Sequence, residues 1–214
     1  MALEATHLRF ALDVRDDYHV ADLSRYLSGT IYPDSRYVSG IDRLLTHPKD
    51  FSDIPLPKED DFRKGWETHL MYDLLQGEMF AEISGSALVR QGDEAWRERT
   101  AYKMILNELD FVSLDVSVLV SHLGVILNPF GESVDLVKKY HDAVAGVFRN
   151  EEKGWIRERL PIFEMMKSDA ERELLNDLLS RCDRLRNDTD MMGKIAGIYD
   201  RTMNLYRKRY RKCL

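Results

Sequence analysis

Cysteine is nearly missing from this chain. Cys182 and Cys213 are its only two, neither lies in a C-x-x-C pair, and their spacing excludes a disulfide framework. Proline is scarce as well, at six residues, and no Ser/Gly/Gln-rich tract occurs, which excludes a low-complexity or disordered chain. Long apolar runs are also lacking. The most apolar stretch, residues 111–127, falls short of a membrane span and carries Asp115 and His122, so it reads as a buried helix with no transmembrane role. Basic excess is missing too: 31 Lys and Arg against 37 Asp and Glu leave a net charge of -6, so no global field draws the chain to nucleic acid. The first residues show no basic stretch followed by a long apolar one, so no secretory signal is expected and the expected location is cytoplasmic. Asn187-Asp188-Thr189 then matches a glycosylation acceptor by chance alone. Finally, no stretch alternates with period two for long enough to argue a sheet.

What is present is a helix-rich composition, 44% hydrophobic and 32% charged over 214 residues, enough for one sizeable core. The spacing of Leu8, Phe10, Ala11 and Val14 predicts a first helix over residues 4–14, with Thr6 as its cap and His7 in its opening turn. A second helix is expected over 20–28, stopped at Gly29. Residues 30–59 carry Pro33, Pro48, Pro55, Pro57 and Gly40, and read as a long irregular loop of the functional kind. Beyond it the pattern is helical: 60–80, 95–127 as one helix or two joined, 133–148, 155–166, and 170–209 with a break near Asn187-Asp188. With no internal repeat or linker, the fold class is all-α, a single domain over 1–214 forming a bundle of about seven to nine helices.

The chemistry concentrates in the first third. In the run Gly65-Trp66-Glu67-Thr68-His69-Leu70-Met71-Tyr72-Asp73, His69 and Asp73 are about one turn apart, so imidazole and carboxylate project from one face. His7, Asp34 and His47 lie upstream. Three imidazoles and two carboxylates suit a divalent ion, zinc best for mixed His/Asp ligation, with manganese or iron as alternatives. Each residue also has a plainer use: His69–Asp73 as a buried hydrogen bond, Asp34 as a turn residue after Pro33, His47 as a loop residue before Pro48. Arg36 and Arg43 flank the loop ligands and suit a substrate phosphate, or else stand as solvated surface charges.

At these residues the chain resembles the bacterial zinc-dependent phospholipase C family, the group related to S1/P1 nucleases. The matching pieces are Thr6-His7, Tyr26 to Asp34 with its Gly-x-x-x-Pro-Asp turn, Thr46-His47, and Gly65-Trp66-x-x-His69-x-x-x-Asp73, in the family's order. They cover about residues 6–75. The resemblance implies an all-α fold, a metal site between helices with ligands at His7, Asp34, His47, His69 and Asp73, and hydrolysis of phosphoesters. Asp34 and Asp73 would then orient the attacking water or bridge two ions. The family's later His-x-x-x-Glu pair has no counterpart: His122 and His141 are followed four residues on by Ile126 and Ala145. One or two ions are expected in place of three.

Two other readings stand beside this one. His141-Asp142 resembles the dyad of HD-type phosphohydrolases, which would also give phosphoester hydrolysis. A non-catalytic helical binding or regulatory protein is the other, its long charged C-terminal helix offering a surface to a partner or a homodimer. The basic run Arg207 to Lys212 suits a helix C-terminus, or else phosphates or anionic lipid. The expected partner is a phosphorylated small molecule or lipid head group.

Overall fold

The computed structural model describes residues 4–83, 92–149 and 168–210, and among these residues there are helices and no strands. The fold is an all-α multi-helix bundle. Its elements are α1 (Glu4–Val14), α2 (Leu23–Ile31), α3 (Arg36–Ser39), α4 (Arg43–Thr46), α5 (Asp61–Ile83), α6 (Asp93–Phe111), α7 (Val116–Ser121), α8 (Val134–Arg149), α9 (Asp169–Arg186), α10 (Thr189–Ala196) and α11 (Ile198–Arg209). None of the described helices is long and apolar enough to cross a membrane. The helix expected over 155–166 lies outside the described residues, as does Cys213.

α1 and α5 occupy the middle of the bundle, because each buries residues on more than one side. Phe10 and Val14 of α1 join Tyr72, Leu75 and Met79 of α5 in a cluster completed by α6, α9, α10 and α11. Ala5, Leu8 and Ala11 pack instead with α2, α7 and α8. Phe62, Trp66 and Leu70, earlier on α5, gather Tyr32, Ile54 and Val137. His7 and His69 therefore lie at the meeting of these layers, both essentially fully buried.

Several boundaries differ from the sequence expectation for physical reasons. Gly29 does not stop α2, which runs on to Ile31. It is instead a contact point: a Cβ there would stand 2.0 Å from the Phe62 carbonyl oxygen, and one at Gly65 would stand 1.9 Å from that of Tyr26. Two glycines let the α2 and α5 backbones touch. Thr6 is likewise no cap but part of α1, whose opening amides at Ala5 and Thr6 donate to Asn107 Oδ1 on α6 at 2.8 and 3.3 Å. Residues 30–59 are partly ordered into short helical turns, 3-10 turns at Tyr32–Ser35 and Phe51–Asp53 besides α3 and α4. The buried Arg63 guanidinium holds this segment to α5 by donating to the carbonyls of Phe51, Ile54 and Leu56. The stretch 95–127 is not one long helix: α6 ends at Phe111, α7 ends at Ser121, and residues 122–133 are not helical. The C-terminal break falls where expected, with Asp188 capping α10 through the Met191 amide. A second break follows at Gly197.

Candidate metal centre

Each of the five residues singled out is placed by a different device. Asp34 sits in the 3-10 turn opened by Pro33, whose ring presets the backbone, and its side chain is 4% exposed. His47 follows α4, and the Trp66 indole N–H donates to the Thr46 carbonyl oxygen at 2.7 Å, pinning that end to α5. Trp66 is thus both core and anchor. The Thr46 hydroxyl lies 2.9 Å from His47 Nδ1, which turns the other ring nitrogen, Nε2, toward Asp73.

The same logic governs His69. Its Nδ1 lies 2.8 Å from the Thr30 carbonyl oxygen, which only accepts, so the ring donates there and turns Nε2 toward Asp73. Backbone orientation of one ring nitrogen is how metal-ligating histidines are commonly held. His7 stacks on His69, ring centroids 3.8 Å apart and planes 13° from parallel.

The structure brings these side chains to one point around Asp73. Its carboxylate lies 3.7 Å from His7 Nε2, 3.7 Å from His47 Nε2 and 3.9 Å from His69 Nε2. These distances are too long for hydrogen bonds. They are wider than, but near, the ~3.3 Å that separates two ligand atoms on a tetrahedral zinc with bonds of about 2.0–2.1 Å. Both ring nitrogens of His7, His69 Nε2 and Asp73 Oδ1 are buried without a hydrogen-bond partner. Leaving such atoms unpaired costs roughly 1–3 kcal/mol each, so their convergence fits a cation as the missing partner. Two groups of three could hold an ion, each with its ligand atoms within 4.8 Å of one another: His7, Asp34 and His69, and His47, His69 and Asp73. They share His69, which has one nitrogen to offer.

Electrostatics keep His7 and His47 neutral beside a fixed negative charge. Burial, then the neighbouring His69, holds His7 well below the usual histidine range. The same two causes lower His47 to about 2. Burial alone would raise Asp73, but the neighbouring positive charge of Lys103 outweighs it and holds the carboxylate well below its usual range. Ligand imidazoles must be neutral and ligand carboxylates ionised to bind a metal.

The cluster opens into a cleft of about 440 Å³, lined by Asp34, His47 and Asp73 and also by Arg36 and Arg43. Arg36 lies over the Tyr37 ring at 3.9 Å and donates to its hydroxyl. Sequence reasoning missed two further cations on the lining, Arg99 and Lys103 of α6. Their only sequence signal was the i, i+4 spacing of two basic residues near Trp96.

His141 and Asp142 are not brought to this point or to any other group of ligands among the described residues. His141 is buried and its Nδ1–H donates to the Leu123 carbonyl at 3.0 Å, whereas Asp142 is on the surface, ion-paired with Lys138. His122 pairs through Nδ1 with the Ser24 hydroxyl at 2.8 Å. No family model, no curated protein and no solved structure matches this chain.

Proposed function

We propose that this chain is a metal-dependent hydrolase of phosphoesters, as its resemblance to zinc-dependent phospholipase C and S1/P1 nucleases implies. The observation that carries the reading is the convergence of His7, His47 and His69 on Asp73, with ring nitrogens of His7 and His69 left partnerless, beside a cleft lined by cations. His7, Asp34, His47, His69 and Asp73 would hold one or two divalent ions, zinc being the best match to this donor set. An ion so held supplies Lewis acidity and brings the pKa of a coordinated water toward neutrality.

The chain's own groups do the rest. Asp34 and Asp73 both face the cleft, where their carboxylates accept hydrogen bonds from the attacking water and orient it. Arg36 and Arg43 donate to the non-bridging oxygens of the ester, neutralising charge as it builds in the transition state. Thr30 and Thr46 hold the Nδ1 edges of the two imidazoles and so turn Nε2 toward the ion. Metal analysis of the purified protein, followed by phosphatase and phosphodiesterase assays with zinc or manganese, tests the reading. Bound metal with metal-dependent turnover supports it; no bound metal and no change of thermal stability on adding metal refute it.

A further inference from the structure

The cationic lining of the cleft is larger than hydrolysis of an arbitrary phosphoester requires. Arg36 and Arg43 come from the α3–α4 segment, and Arg99 and Lys103 come from α6, one turn apart on one helix face. Within the cleft these four cations outnumber its two carboxylates, Asp34 and Asp73, although the chain as a whole carries a net charge of -6. A local reversal of sign in a concave site concentrates anions there. Arg36 lies over the Tyr37 ring and Lys103 makes a long ion pair with Asp73, yet donors remain on all four cations. Among the described residues Arg43 and Arg99 have no ion-pair partner, and Arg36 Nε is buried with no hydrogen bond. Lys103 Nζ stands 3.8 Å from Asp73 Oδ1, beyond hydrogen-bond range, so its protons remain available.

We propose that Arg99 and Lys103 complete, with Arg36 and Arg43, a cradle for a phosphoryl group bearing two negative charges. The substrates are accordingly phosphate monoesters in preference to diesters. This inference rests on the phosphoester reading above and specifies its substrate class. A monoester presents three terminal oxygens and, with a second pKa near 6, close to two charges at neutral pH. A diester presents two such oxygens and one charge. Guanidinium forks bind two oxygens at a time, so three arginines and a lysine match the first set and leave donors unfilled by the second. Trp96, 39% exposed, lines the same cleft and gives the organic group a ring face to lie on. In the reaction the water oxygen bonds to phosphorus as the ester P–O bond breaks. The alcohol leaves with a proton from the water, and orthophosphate remains.

Calorimetric titration of the chain at pH 8, with zinc added and in chelator, using orthophosphate, a dianion, and dimethyl phosphate, a monoanion, tests this without turnover. Orthophosphate is expected to bind at least tenfold more tightly. Arg99→Gln should weaken orthophosphate at least tenfold and dimethyl phosphate less than threefold, and Arg99→Lys should recover most of the loss. Equal binding of the two anions, or no change in Arg99→Gln with its helicity intact, overturns the cradle. The parent reading fails separately. A chain that binds metal and cleaves bis(p-nitrophenyl) phosphate faster than p-nitrophenyl phosphate keeps the hydrolase and overturns the monoester preference. A chain that binds no metal yet discriminates the anions as above keeps the cradle and loses the hydrolase.

Discussion

His69 donates its Nδ1 proton to the Thr30 carbonyl oxygen across 2.8 Å, and this bond ties the candidate metal centre to the crossing of α2 and α5. The crossing is close because Gly65, one turn before His69, has no Cβ to meet the Tyr26 carbonyl or the Thr30 amide. Packing of two backbones and aiming of one imidazole are one arrangement.

Gly65→Ala should therefore damage both at once. A methyl 1.9 Å from the Tyr26 oxygen cannot be housed without moving a backbone, so the loss of stability should reach about 3 kcal/mol or more by urea unfolding. Zinc affinity should fall roughly 10- to 100-fold, the usual cost of losing a partner that orients a ligand. Gly193→Ala is the comparison: no atom lies within 4 Å of its Cβ position inside α10, and it should gain about 0.5–1 kcal/mol.

Removing the Arg43 charge should act on substrate and spare the fold. Arg43 is exposed and lines the cleft, so Arg43→Gln is expected to raise KM for a phosphoester by about tenfold, in line with a lost charged hydrogen bond of roughly 1.4 kcal/mol or more. Unchanged steady-state parameters would show that Arg43 is only a surface charge.

Acid should expose His141, a histidine remote from the proposed chemistry. Burial lowers it from 6.5 to about 4. Between these values the unfolded chain binds more protons than the folded one, so this residue's contribution to stability is complete above pH 6.5 and shrinks as pH falls toward 4. Glu4 works in the opposite sense, since burial raises its carboxyl to about 7. The two are separated by comparing wild type with His141→Gln in a chelator at pH 7.5 and pH 5. Relative to the variant, wild type should lose about 2 kcal/mol between the two pH values. A gap that does not change with pH would contradict the assignment.

The helical class was legible in the sequence from its periodicity, and the shared face of His69 and Asp73 from their spacing; that His7, Asp34 and His47 would join them was an expectation from the family resemblance alone. What was not legible is tertiary. Gly29 reads as a stop in isolation, yet α5 turns it into a contact point. Thr6 looks like a cap until Asn107, about a hundred residues on, supplies the acceptor instead. Arg99 and Lys103 look like ordinary exposed helix charges, and only the packing of α6 against α1 brings them to the cleft. The ring orientations of His47 and His69 depend on hydroxyl and carbonyl partners that no spacing rule identifies.

The central claim is that the imidazoles around Asp73 hold a metal. Elemental analysis of the purified protein after equilibration with zinc and removal of the excess tests it most directly, alongside His69→Ala and Asp73→Asn. The account predicts one or two equivalents of zinc in the wild type, less than a tenth of an equivalent in either variant, and thermal stabilisation by zinc confined to the wild type. Folded wild-type protein that retains no zinc, or variants that retain as much as the wild type, would contradict it.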